Sequence, residues 1–246
     1  MTETPPLPRA MLIDMDDTIL SAYGRPEIAW NTIAAEFAAE LEPLPPQQVA
    51  AAVLTFARSF WANAEAAWRL KLGEERRLTV KGGFAALAAA GHRALPDDLA
   101  IRLADRFTGY REEEIFVFPG AHEAIDKLKA LGVKLALVTN GAADMQRAKV
   151  ERFELTGRFD HIQIEGEHGF GKPEERAYLH ALEKLGVGAH ETWMVGDHLE
   201  WEVAAPQRLG IHAIWYDGES RGLPAGTQVR PDRVIRTLAE LLPPEA

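Results

Sequence analysis

From Phe118 onward the chain alternates short, unbroken apolar runs with stretches in which apolar residues recur every three or four positions. Unbroken apolar runs such as Leu135-Ala136-Leu137-Val138 suit strands covered on both faces, and their alternation with helices implies a parallel sheet wrapped by those helices. The pattern predicts helices over about 121–131, 143–155, 173–185 and 200–209, and strands over 134–139, 161–164, 192–195 and 211–215. Residues 232–242 read as a closing helix.

An earlier apolar run, Met11-Leu12-Ile13, ends in acids and reads as one more strand of the same sheet. Between it and Phe118 the rhythm is helical. Trp30, Ile33, Phe37 and Leu41 form one stripe, and Val49, Val53, Phe56, Phe60, Ala64 and Trp68 a second. Leu87, Leu99, Leu103, Phe107 and Tyr110 continue the pattern, with Pro43, Pro45, Pro46, Gly82, Gly83, Gly91 and Pro96 as breaks. A crossover between parallel strands needs only about a dozen residues, so this insertion is a helical subdomain of its own. The expected organisation is a disordered tail over 1–9, a core from 10–22 and 115–246, and a helical domain over 23–114. All the aromatic stripes read as core. Arg69, Lys71, Arg76, Arg77 and Lys81 read as a solvated helix end, with one of them reaching a ligand as the testable alternative.

The formal charge is -10, and Lys and Arg are scattered among acids rather than grouped. Such a surface repels polyanions, which argues against a nucleic-acid partner. With no cysteine, disulfides, thiolate metal sites and cysteine nucleophiles are excluded. No run approaches the ~18 apolar residues of a membrane span, and the Pro-rich start lacks a signal-peptide pattern. The expectation is therefore a cytoplasmic protein without a membrane partner, as monomer or homodimer.

Asp14-Met15-Asp16-Asp17-Thr18 follows the first strand directly. Three carboxylates within four residues repel one another, so a strand end that carries them invites a hard cation such as Mg²⁺. Taken alone, the segment reads equally well as an acidic turn. Thr139-Asn140-Gly141 alone reads as a turn signal, and an isolated Lys172 before Pro173 as a surface lysine.

Together these segments resemble the four motifs of the haloacid dehalogenase superfamily. Asp14 to Thr18 is similar to the first motif, Thr139-Asn140-Gly141 to the second, Gly171-Lys172-Pro173 to the third and Gly196-Asp197 to the fourth. Each comes in the family's order, over about residues 10–216. The resemblance implies a Rossmann-like α/β core with an inserted four-helix cap of the C1 type. It further implies a Mg²⁺-dependent phosphatase that acts on a small phosphorylated metabolite. Asp14 would attack phosphorus, and Asp16 would serve first as general acid and then as general base. Thr139, Asn140 and Gly141 would bind the phosphate with Lys172. Asp14, Asp16 and Asp197 would hold Mg²⁺, with Thr18 and Glu202 as support. Phosphoglycolate phosphatases, nucleotidases and acylneuraminate phosphatases are similar in pattern. Dehalogenases of the superfamily lack an acid at the position of Asp16, which favours phosphoryl transfer.

The fourth motif departs from the commonest form. His198 stands where relatives have Ser or Thr, and reads here as a helix cap or a residue narrowing the pocket. Glu202 stands where relatives have Asp, and reads as support for a metal-bound water or as an ordinary helix N-terminal acid. His168 reads as a loop residue. The alternatives are a phosphomutase, a 2-haloacid dehalogenase and a non-catalytic binding protein.

Overall fold

A computed structural model describes residues 7–243. Strand β1 (Ala10–Ile13) is buried along its whole length, as expected of a run with no polar alternation. After the acidic loop comes the two-residue strand β2 (Leu20–Ser21). The helices α1 (Pro26–Glu36), α2 (Ala38–Leu41), α3 (Pro46–Asn63), α4 (Leu72–Ala89) and α5 (Asp97–Glu113) follow, with a 3₁₀ turn at Ala66–Leu70. Proline opens both α1 and α3, where its missing N–H costs no helical bond. Strand β3 (Phe116–Val117) then pairs antiparallel with β2, so the helical segment leaves and re-enters the sheet unit through one short ribbon.

Beyond it run α6 (Ala121–Ala130), β4 (Lys134–Thr139), α7 (Ala143–Arg152), β5 (His161–Ile164), α8 (Glu165–His168), α9 (Glu175–Leu185) and β6 (Thr192–Gly196). A π-helical turn at Leu199–Ala204 leads into α10 (Ala205–Arg208), β7 (His212–Tyr216) and β8 (Arg233–Ile235). The sheet order is β5-β4-β1-β6-β7-β8, with every pairing parallel.

The chain divides into two compact units, one built from the residues up to Ser21 together with those from Phe116 on, the other from Ala22–Ile115. In the helical unit Trp30 stacks on Phe107 with ring centroids 3.8 Å apart, inside a core that includes Ile33, Leu41, Val49, Val53, Leu87, Leu99 and Leu103. The basic cluster there is split by pairing. Arg77 forms a two-bond pair with Asp105 and Lys81 meets Asp97 at 2.6 Å. Arg76 is instead buried, its guanidinium over the Phe107 ring and its Nη1 without a partner.

The expected closing helix over 232–242 is absent. Arg233–Ile235 adds a sixth strand beside β7, and only Leu238–Leu241 forms a helical turn, opened by Thr237 and Glu240. The adjacent β-branched residues Val234 and Ile235 suit the sheet edge, and the Asp232 carboxylate anchors the strand's start by accepting the Ala213 N–H at 2.8 Å. Of the tail read over 1–9, residues 1–6 lie outside the described residues. Arg9 is tied in, donating its N–H to the Glu191 carbonyl and accepting from the Lys134 N–H. Among the described residues no helix is long and apolar enough to cross a membrane.

Candidate functional site

Strand β1 lies between β4 and β6, with Ile13 level with Leu137 on one side and Val195 on the other. The carboxyl ends of the three strands therefore open onto one edge of the sheet, where α/β folds bind ligands. Asp14 is fixed there by its N–H to the Val195 carbonyl, 3.0 Å. The loop then turns tightly: Asp17 adopts φ 59° and donates its N–H to the Leu20 carbonyl. Thr18, fully buried, donates its hydroxyl to Asp14 Oδ2 at 3.1 Å. Across the sheet the Asp197 carbonyl accepts the Trp215 indole N–H at 2.7 Å. Gly196 has no room for a side chain: a Cβ there would lie 2.1 Å from Glu202 Cγ and 2.9 Å from Asp14 Cβ.

Lys172 is completely buried. Its Nζ sits 2.5 Å from Asp14 Oδ1 and 2.8 Å from Glu202 Oε1. Glu202 is therefore bonded directly to Lys172, and its other oxygen accepts the His198 N–H at 2.7 Å. Burial works to lower the Lys172 ammonium's pKa, but the facing Asp14 and Glu202 carboxylates more than offset it and hold the pKa above the usual lysine value.

The carboxylates feel the opposite imbalance. Burial, with Asp14 next in weight beyond the opposing Lys172, pushes Glu202 up to about 7. Asp197 is pushed up to about 9 by burial and then by the charges of Asp14, Glu202 and Asp17. Asp14 is also raised, by burial against the opposing pull of Lys172. Asp14, Asp197 and Glu202 thus share one lysine, an arrangement short of positive charge. Among the described residues no hydrogen bond or ion pair reaches the Asp197 carboxylate. An oxygen donor set with that deficit fits a hard divalent cation.

Asp16 stands apart from this group. Both its oxygens lie 2.8 Å from Lys149 Nζ, and Oδ2 also accepts from Gln146 Nε2 at 2.9 Å. The same Gln146 amide donates to Thr139 Oγ1 at 2.7 Å. Asn140 turns its side chain to Lys172, donating to its carbonyl at 2.7 Å and accepting its N–H at 2.9 Å. Gly141 has φ 127°, a conformation glycine tolerates, and its N–H is taken by Glu165 Oε2 at 3.0 Å. Sequence reading passed over Lys149, Gln146 and Glu165. For the first two a signal existed: they are three residues apart on one face of the helix after Thr139-Asn140-Gly141, and both are buried.

His198 caps the turn that follows, its Nδ1 accepting the Trp201 N–H at 3.3 Å while the two rings stack. His168 lies at the end of α8 rather than in a loop.

The haloacid dehalogenase-like hydrolase family matches this chain over residues 8–210. Phosphoserine phosphatase of Thermus thermophilus is 36% identical over 149 residues, 60% of this chain and 58% of that protein. Ribulose-1,5-bisphosphate 5-phosphatase of Halopiger xanaduensis is 32% identical over 148 residues, 58% of this chain and 62% of that one. The alignments thus span about three fifths of the length of either relative. The HAD-hydrolase YfnB from Bacillus subtilis, solved bound to magnesium, shares the fold with a TM-score of 0.67 at 24% identity, over 96% of this chain and 97% of that one.

Proposed function

The chain belongs to the haloacid dehalogenase-like hydrolases, and on that footing we propose that it is a phosphatase of small phosphorylated metabolites with Asp14 as its nucleophile. One observation carries the reading: Asp14 and Asp16, two residues apart, are held by different lysines, Asp14 by Lys172 and Asp16 by Lys149. Two carboxylates in separate electrostatic settings can take separate roles, one as nucleophile and one as proton carrier. The similar curated proteins named above, both phosphatases, support the same reaction class.

In this reading an Asp14 oxygen forms a bond to phosphorus as the ester oxygen departs, and Asp16 gives that oxygen its proton. Water then attacks the aspartyl phosphate, Asp16 takes the water's proton, and phosphate leaves with Asp14 regenerated. Lys149 and Gln146 fix the position of the Asp16 carboxyl group between the two steps. Gln146 donates to the Thr139 hydroxyl oxygen, and the hydroxyl's own hydrogen, now in a long 3.5 Å contact with the Asn140 carbonyl, would turn to a phosphate oxygen beside the Asn140 N–H. Lys172 offsets the charge of Asp14 and phosphate. The side chains of Asp14 and Asp197 with the Asp16 carbonyl would hold Mg²⁺. Bound there, Mg²⁺ supplies the positive charge that these carboxylates and a phosphate require.

The helical unit would act as a cap. A soluble metabolite as substrate goes with a cytoplasmic location.

The test is phosphate release from p-nitrophenyl phosphate and a panel of phosphorylated metabolites, with Mg²⁺ and with chelator. Wild type should turn over only with the metal, and Asp14→Asn should be folded and inactive. Equal release by both proteins, or faster halide release from 2-haloacids, overturns the proposal.

A further inference from the structure

A second cluster of metal-ligating side chains lies at the β5 side of the sheet. His161 opens β5, His168 closes α8 and His180 lies within α9, and each offers a nitrogen within 4.8 Å of the other two. None of the three belongs to the carboxylate site. Their hydrogen bonds settle which nitrogens carry lone pairs. The Gln163 amide donates to the Ala177 carbonyl at 2.7 Å, so its oxygen faces His180 and takes the Nδ1 proton, also at 2.7 Å. His168 Nδ1 lies 3.0 Å from the Ile164 carbonyl, which can only accept. Both rings therefore carry the proton on Nδ1 and the lone pair on Nε2. His161 Nε2 is buried without any partner, and a buried polar atom left unsatisfied requires an explanation.

We propose that His161, His168 and His180 form a binding site for a borderline divalent transition ion of the zinc class, separate from the carboxylate site. Imidazole nitrogens select such ions over Mg²⁺. A histidine whose other ring nitrogen donates to a carbonyl is the usual form of a metal ligand, because that bond fixes tautomer and orientation. His168 and His180 have that form. Burial, with neighbouring histidines adding to it, lowers the pKa of both His161 and His180 and so favours the neutral ligating ring. Two nitrogens on one tetrahedral zinc lie about 3.4 Å apart, so ring shifts of about 1 Å complete the site, with water as the fourth ligand. The ion would tie β5, α8 and α9 together and brace the segment from His168 to Lys172.

The experiment titrates Co²⁺ into the untagged full chain in excess Mg²⁺, reading visible absorbance, and then displaces it with Zn²⁺. One equivalent should bind with the intense bands of low-coordinate, nitrogen-ligated Co²⁺, and Zn²⁺ should bleach them. His168→Phe and His180→Phe keep a ring in the packing with Phe170. Each should weaken Co²⁺ by more than about tenfold, with the metal-free unfolding midpoint retained. If the wild type shows only the weak bands of six-coordinate oxygen ligation, or binds no Co²⁺, the rings are aromatic packing alone and the site does not exist. Unchanged Co²⁺ binding by the two variants refutes it equally. Should either variant fail to fold, the wild-type stoichiometry and spectrum decide the matter.

Discussion

Lys172→Met tests the charge arrangement at its centre. Methionine keeps most of the length and apolar stem but removes an ammonium whose side chain is 1% exposed and which touches carboxylates exposed by only 10% and 1%. Breaking a buried pair while its partner stays costs about 3–5 kcal/mol. At about 2–4 °C per kcal/mol for a chain of this size, Tm should fall by about 10 °C in chelator at pH 7.5. Part of that loss is the repulsion between Glu202 and Asp14 once the lysine no longer lies between them. Adding Glu202→Gln, whose amide oxygen can still accept the His198 N–H, should therefore restore about 1 kcal/mol or more. Phosphate release by Lys172→Met should drop about 10²–10³-fold in kcat, the usual effect of removing one charge-stabilising donor. Thermal and denaturant unfolding of the two single variants and the double variant, followed by circular dichroism, gives the coupling directly. A Tm within about 2 °C of wild type, or a double variant less stable than the sum of the singles, refutes the electrostatic reasoning.

Lys149→Met should lower kcat by about 10–10²-fold with KM nearly unchanged, since Lys149 touches Asp16, the proton carrier in the proposed reaction; steady-state kinetics decide. Glu202 and Asp197 have folded pKa values of about 7 and about 9, raised from 4.5 and 3.8. Their stabilising protons are bound below about pH 4 and lost as pH rises through those folded values, so chelated protein should lose stability from pH 5 to 9. Excess Mg²⁺ should flatten that slope in a Tm-against-pH series, because the ion takes the place of the protons.

Several elements were legible because their determinants are local. The apolar run over 134–139 and the alternating His161-Ile162-Gln163-Ile164 became β4 and β5 at the same residues, the first inside the sheet and the second at its edge. Asp14 to Thr18, Thr139-Asn140-Gly141 and Gly196-Asp197 were readable because each sits at a strand end, whereas Gly171-Lys172-Pro173 lies beyond α8 and was readable from its residues and order alone. The closing helix failed for the opposite reason. Residues 232–242 carry helix formers, yet Val234 and Ile235 were claimed by the free edge of β7, a partner that exists only once the sheet has formed.

By itself, the sequence determined the strand and helix alternation, the position of the helical insertion and the acids that follow the first strand, since periodicity and spacing act over a few residues. Only the tertiary structure decided which charges meet. Lys172 reaches Asp14 across 158 positions and Lys149 reaches Asp16 across 133. The three histidines converge from a strand, a short helix and a long one. The physical reason is that burial and Coulomb forces depend on distance in space, and the parallel sheet brings distant strand ends to one edge.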